Sequence, residues 1–145
     1  MTDNTEVPLA VPIIDHVGIA VNSLETAIPR WTALLGMPVS GEEVVPGESV
    51  RVAFFGSGAG RVELLEPTGP DSAIARHLVR RGEGVHHVCV RVADLDHSLA
   101  DLAAAGVEPI PPAIRIGAEG ARVSFLHPRS MGGVLLELRE TAPRE

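Results

Sequence analysis

Two stretches of the chain carry the same succession of apolar and polar positions. Ile14-Asp15-His16-Val17-Gly18-Ile19-Ala20-Val21 alternates β-branched with small or polar residues, and so does Val85-His86-His87-Val88-Cys89-Val90-Arg91-Val92. Each predicts a strand, because residues two apart share a face of a pleated backbone. Ser23 and Asp94 then stand as helix N-caps, and Gly36 and Gly106 as residues that tolerate the left-handed turn at a helix end, predicting helices over about 24–35 and 95–105. Apolar runs at 50–56 and 61–66 predict two more strands in the first half, and 121–126 and 133–139 two in the second. Weaker strands near 38–45 and 108–114 complete each set, and a short helix capped by Ser72 is predicted between the halves over 72–80.

The halves superpose residue by residue. His16 matches His87 at an offset of 71, Leu35-Gly36-Met37 matches Ala105-Gly106-Val107 at 70, and Val62-Glu63-Leu64 matches Leu136-Glu137-Leu138 at 74. A repeat at this scale is the mark of a duplicated unit, here βαβββ, and predicts an α+β fold. One domain over 13–140 follows: module one at 13–67, a linker helix region at 68–83, and module two at 84–140, with tails at 1–12 and 141–145 expected to lack order through about Ala10 and after Thr141.

Strand parity turns the repeat into a site. Val17, Ile19 and Val21 make one apolar face, which leaves His16, Gly18 and Ala20 on the other; His87 shares its face with Cys89 and Arg91. Glu63 opposes Val62 and Leu64, and Glu137 opposes Val134, Leu136 and Leu138. Two His and two Glu therefore occupy equivalent positions on the faces turned away from the helices. Carboxylates buried unpaired in apolar strands are costly, and a bound cation relieves that cost for both at once, so metal ligation is the reading of the quartet. A lone His or Glu on such a strand would read as a structural or solvent-facing residue; the symmetric recurrence of both types is what shifts the balance. His86, of opposite parity, and His77 and His97, on helices, read as surface or structural residues, and His127 as structural or lining the mouth of the site.

Composition narrows the chemistry further. The 145 residues include one Trp, three Phe and no Tyr, and all twelve basic residues are Arg, which excludes phenol chemistry and Schiff-base lysines. A net charge of -7 is the wrong sign for nucleic-acid binding through a basic surface. One cysteine, no long apolar run and no basic leader make a soluble protein of a reducing cytoplasm the default, with no membrane partner.

The segments IDHVGIAV at 14–21, VELLEPTGPDSAIARHL at 62–78, GEGVHHVCVRVADLD at 82–96 and GARVSFLHPRSMGGVLLEL at 120–138 resemble the vicinal oxygen chelate superfamily, and within it the methylmalonyl-CoA epimerases. The resemblance covers about 13–140. It implies an open, U-shaped mixed sheet around a metal site, a homodimer, and His16, Glu63, His87 and Glu137 as ligands of one divalent ion, Co²⁺ favoured and Zn²⁺, Mn²⁺ or Ni²⁺ also suited. It further implies an acyl-CoA substrate and epimerisation through an enolate, by metal-assisted proton abstraction at the carbon alpha to the thioester. Relatives often have Gln at the Glu63 position, and some bacterial ones have a catalytic Glu where this chain has Val52.

Inversion asks for a base on one face of the enolate and an acid on the other. Glu137 is expected to be one; Glu48, in the loop before the 50–56 strand, and Glu63 are the candidates for the second, Glu48 reading otherwise as a solvated loop carboxylate. Gly117, Ala118 and Gly120 belong to a loop whose backbone N–H groups suit the acyl carboxylate, and Arg91 is placed by parity to hold a substrate anion or pair with an acidic neighbour. Arg115, Arg122 and Arg129 are candidates for the CoA phosphates. A glyoxalase I-like lyase would use the same quartet, an extradiol dioxygenase would need fewer ligands, and a metal-independent drug-binding protein of the same fold would need none of it.

Overall fold

The computed structural model describes residues 12–141, so the tails expected to lack order lie almost wholly outside the described residues. The elements run β1 (Ile14–Ala20), α1 (Leu24–Leu35), β2 (Gly41–Val45), β3 (Val50–Phe55), β4 (Arg61–Pro67), α2 (Ala73–Arg81), β5 (Gly84–Val92), α3 (Leu95–Ala104), β6 (Arg115–Ile116), β7 (Arg122–Leu126) and β8 (Leu136–Glu140). Each helix starts where a side-chain oxygen satisfies an otherwise orphaned N–H: Ser23 accepts from Thr26, Ser72 from Ala75 and Asp94 from His97. Gly36 closes α1 in the left-handed conformation.

All eight strands form one mixed sheet in the order β2-β3-β4-β1-β5-β8-β7-β6. Read outward from its centre, each half repeats the other. β1 pairs with β4 in parallel and β5 with β8 in parallel, while β1 and β5 meet antiparallel along the seam between the modules. The duplication read in the sequence is thus a pseudo-symmetric sheet with His16 and His87 on its two central strands.

Helices α1 and α3 cover the outer face. Val21, Leu24 and Ala27 pack there against Ala53, Phe55 and Leu64, and Leu95 packs against Leu126 and Leu138. On the inner face of module one, Ala20, Val50, Val52, Phe54 and Leu65 form a second apolar layer, closed over by Ile74 and Leu78 of α2. The predicted linker helix is therefore part of the wall of the inner face.

Two strand expectations need correction. No strand forms over 108–114; β6 is two residues long and begins at Arg115, with only an isolated bridge between Pro109 and Leu126 before it. Pro109, Pro111 and Pro112 have no N–H to give to a ladder, which removes three of the seven donors of that stretch. The last strand begins at Leu136 and not at 133, because Gly132 and Gly133 hold positive φ in the turn that precedes it.

Because α2 closes the inner face, its cap is a point of leverage. Ser72 is buried, and Ser72→Ala is expected to lower stability by about 1 kcal/mol, read as a lower urea midpoint at an unchanged m-value.

Candidate metal centre

Four side chains from four strands, β1, β4, β5 and β8, converge at the middle of the inner face. His16 Nε2 and His87 Nε2 lie 3.0 Å apart, and Glu137 Oε1 is 3.1 Å from each. For donors bound to one ion at about 2.1 Å, neighbours at right angles are separated by about 3.0 Å and tetrahedral ones by about 3.4 Å. The triangle has the first of these edges, so it matches one face of an octahedral set. Glu63 Oε2 sits apart from it, 3.0 Å from Nδ1 of His16 and 3.4 Å from the Arg61 guanidinium. The structure thus joins three of the four predicted ligands in one donor cluster and leaves Glu63 on the far edge of the His16 ring, lining the same cavity.

Close approach of the two modules depends on Gly18. It is paired with His87 across the seam, and a Cβ there would stand 2.2 Å from the His87 ring. No side chain larger than hydrogen leaves His87 its place.

Behind the cluster lies a residue that parity hides. Asp15 is fully buried; its Oδ2 is 2.7 Å from His16 Nδ1 and its Oδ1 accepts from Arg91 Nε at 2.8 Å, with Arg61 and Arg139 at 3.5 and 3.8 Å. The strict alternation of a strand would send Asp15 to the face opposite His16. A bulge prevents this: two residues of β1, from Ile14 to His16, span a single step of β5, from Val90 to Cys89. A second bulge falls at the matching place in β5, where His87 and Val85 face the adjacent residues Gly18 and Ile19. It turns His86 inward, with its Nδ1 3.0 Å from Nδ1 of His87. His86 therefore lines the cavity, which rules out the surface half of its expected surface or structural role. The signal available in the sequence was Asp15 itself, a carboxylate that parity would have placed under α1 among aliphatic residues.

The charges follow from these contacts. Burial opposes ionisation of Asp15, yet His16, Arg91 and Arg139 hold its carboxyl well below the usual carboxylate range. Burial would also raise Glu137, but the two imidazoles overrule it and bring the carboxyl down to about 2. His16 is pushed up to about 9 against the effect of burial, by Asp15, Glu137 and Glu63. Burial, then His87 and His77, drives His86 down to about 3. Cys89 touches the same cluster, but burial and the neighbouring carboxylates push its thiol far up, so it remains protonated and a poor ligand.

The remaining candidates separate clearly. Glu48, in the 3-10 turn Pro46–Glu48 between β2 and β3, is no solvated loop residue: it is half-buried, lines the cavity with His87 and Glu137, and meets Arg115 at 3.4 Å. Burial raises its carboxyl, opposed by Arg115. Val52 is buried in the cavity wall. Gly117 and Ala118 line the cavity as well, and three of the loop's four donors are already used: Gly117 N–H donates to Ala121, Glu119 N–H to Glu43 and Gly120 N–H to Gly117. The Glu119 carboxylate in turn reaches Arg61 at 2.8 Å and Arg139 at 3.2 Å, which pins this turn across the two modules. Arg91 is held by Asp15 and lies outside the cavity lining, Arg115 by Glu48, and Arg122 by Asp96 and Glu140.

An inner sheet face built from two βαβββ halves, with one imidazole from each half meeting a carboxylate, is the arrangement of a metal-centred vicinal oxygen chelate protein. Residues 15–125 match the family model of the Glyoxalase/Bleomycin resistance protein/Dioxygenase superfamily. The mitochondrial methylmalonyl-CoA epimerase of Homo sapiens is 38% identical over 128 residues, covering 88% of this chain and 73% of that one. Among solved structures, the Mycobacterium tuberculosis methylmalonyl-CoA epimerase superposes with a TM-score of 0.86 at 35% identity, covering 97% of this chain and 95% of that one. A variant of the Streptomyces coelicolor methylmalonyl-CoA epimerase in complex with 2-nitronate-propionyl-CoA superposes with a TM-score of 0.85 at 38% identity, covering 92% of this chain and 100% of that one. The chain belongs to the methylmalonyl-CoA epimerase family of that superfamily.

Asp15 gives the site its test. Asp15→Asn keeps the shape but leaves the Arg61 and Arg91 guanidiniums buried or half-buried against a neutral group, and stability is expected to fall by about 3 kcal/mol or more in urea unfolding.

Proposed function

We propose that the protein interconverts (2R)- and (2S)-methylmalonyl-CoA by removing and returning the proton on the carbon between thioester and carboxylate. Membership of the epimerase family supports this, and one observation carries it to these residues: the triangle of His16, His87 and Glu137 opens on a cavity that also receives Glu48.

His16, His87 and Glu137, with Glu63 beside them, are the residues that would hold a divalent ion. Two imidazoles with carboxylates suit Co²⁺, Zn²⁺, Mn²⁺ or Ni²⁺, and the family resemblance favours Co²⁺ among them. When bound, the ion supplies Lewis-acid stabilisation for charge developing on the thioester oxygen. The proton is handled by the chain. Glu137, ionised in spite of its burial, accepts it at Oε2, the oxygen not shared with the imidazoles. Glu48 enters from the β2–β3 turn, on the opposite arm of the sheet from β8, and its raised carboxyl suits it to give a proton to the other face. It takes the place of the base that Val52 cannot provide. Glu63 remains a ligand and positioning group, held by His16 and Arg61. Val52, Leu65 and Phe125 make the apolar walls that keep bulk water from the reacting carbon. Asp15 orients His16 through Nδ1 and so directs Nε2 toward the site.

A homodimer, supported by the family resemblance, in a reducing cytoplasm, supported by the single free cysteine, completes the reading; among the described residues no helix is long and apolar enough to cross a membrane.

Deuterium wash-in at the substrate α-carbon tests the chemistry. Chelation is expected to suppress exchange by about a hundredfold or more, with recovery on adding Co²⁺; a metal-free preparation exchanging at full rate would sink the mechanism. Glu48→Gln is expected to lower kcat by about a hundredfold, the usual worth of one general acid or base. Because burial raises Glu48, wild-type kcat/KM for the direction in which it acts as base should climb with pH along a limb centred above the ordinary carboxylate value. Undiminished turnover in the variant removes Glu48 from the mechanism.

A further inference from the structure

The turn Gly117–Gly120 stands between two spaces. On one side is the reaction cavity, about 70 Å³, well below the roughly 300–1,000 Å³ of pockets that enclose a small-molecule ligand. On the other is a cleft of about 530 Å³ under the β2–β3 turn. Val45, Glu48 and Gly117 line both, so the turn is a partition, and withdrawing it joins the two. It also lies over the reacting groups: a Cβ on Gly117 would stand 3.8 Å from Oε2 of Glu137, the oxygen assigned to the proton.

The strand walls of the cavity are held by their ladders, and α2 by Ile74, buried in the apolar layer of module one. The turn is held differently. The two-residue β6 is its only strand on the N-terminal side, and its grip on module one comes from two residues. Ala118 places a methyl against the apolar layer. Glu119 does the rest: its N–H donates to the Glu43 carboxylate at 3.0 Å, and its own carboxylate reaches Nη2 of Arg61 at 2.8 Å and Nη2 of Arg139 at 3.2 Å. Arg61 foremost, with Arg139, holds that carboxyl below its ordinary value. Yet Glu119 is kept in place against two opposing effects. Its backbone has φ 59° and ψ 22°, the left-handed region that favours glycine, and its carboxylate is half-exposed, so water competes for the pairing. Nor would its departure strand the buried Arg61, whose Nη2 also has Glu63 at 3.4 Å and Asp15 at 3.5 Å. A strained, solvent-facing contact whose partner has carboxylates in reserve is one that can be made and broken.

We propose that the Gly117–Gly120 turn is a gate of the reaction cavity and that Glu119 is its latch, a positioning residue that acts through Arg61 and Arg139. With the latch released, the turn moves off Glu137 and the cavity merges with the β2–β3 cleft, which gives the acyl group its room. The gate rests on the epimerase reading only for the identity of what enters. A competing role for Glu119 is a plain structural staple between the modules, which would affect the stability of the whole sheet and not access to the cavity.

Amide hydrogen exchange followed by NMR tests the latch. In Glu119→Gln the protection of the amide at position 119, corrected for side-chain type, is expected to fall about tenfold, the worth of one charge-assisted hydrogen bond, while amides of β1 and β5 keep theirs. Glu119→Gly removes the backbone strain together with the latch, so it should lose the same protection at an undiminished urea midpoint. Glu42→Gln, which removes one exposed carboxylate from β2, serves as the control. If only the open form admits the acyl group, loosening the latch also raises the competent fraction, and KM for methylmalonyl-CoA should fall by up to about tenfold with kcat not raised. Unchanged protection at 119, a loss shared by β1 and β5, or a KM that stays level or rises overturns the gate. Absence of wild-type turnover of methylmalonyl-CoA overturns the epimerase reading instead, and amide protection still decides the latch.

Discussion

A carboxylate with no solvent exposure, Asp15, sits among His16, Arg61, Arg91 and Arg139, and the inner face of the sheet is organised around it. Burying a charge is costly unless it is paired and its lone pairs are filled. Here one carboxylate serves four positively charged or chargeable groups drawn from β1, β4, β5 and β8, so the four central strands share a single electrostatic anchor. The imidazole of His16 is oriented by that anchor, and Glu137 is ionised by the imidazoles in turn. The chemistry of the cavity is thus inherited from a residue that does not line it.

The duplicated architecture was legible because period and position recur together. Alternation marked the central strands, caps marked the helices, and the recurrence of His and Glu at matching places singled out four side chains that the fold gathers on one face. What alternation hid was the pair of bulges. Each adds one residue to one central strand, and each reverses the facing of the residue just before the histidine. Asp15 and His86 are equivalent in the repeat, and both reach Nδ1 of the histidine that follows. A pattern of period two carries no mark of where it is interrupted, except the chemical misfit of a carboxylate assigned to an aliphatic face.

Other features depended on pairings between elements far apart in the chain. Glu48 reads as a loop residue until the β2–β3 turn is folded against Arg115. The loop at Gly117–Gly120 reads as a set of open donors until Ala121, Glu43 and Gly117 take those of Gly117, Glu119 and Gly120. Prolines at 109, 111 and 112 were visible, and their missing N–H groups account for the strand that does not form.

The antiparallel seam between β1 and β5 has a consequence for how strongly the centre grips. Either module alone offers one imidazole and one carboxylate, a two-donor chelator of modest strength. The fold holds His87 and Glu137 at a fixed short distance from His16, so the entropy of bringing the three together is spent once, during folding. An ion bound there would bridge the halves as a clasp does, favouring the paired seam over the parted one by mass action. Gly18, which lets the His87 ring lie against the β1 backbone, is in that sense the hinge-pin of avidity between two halves that remain chemically incomplete apart.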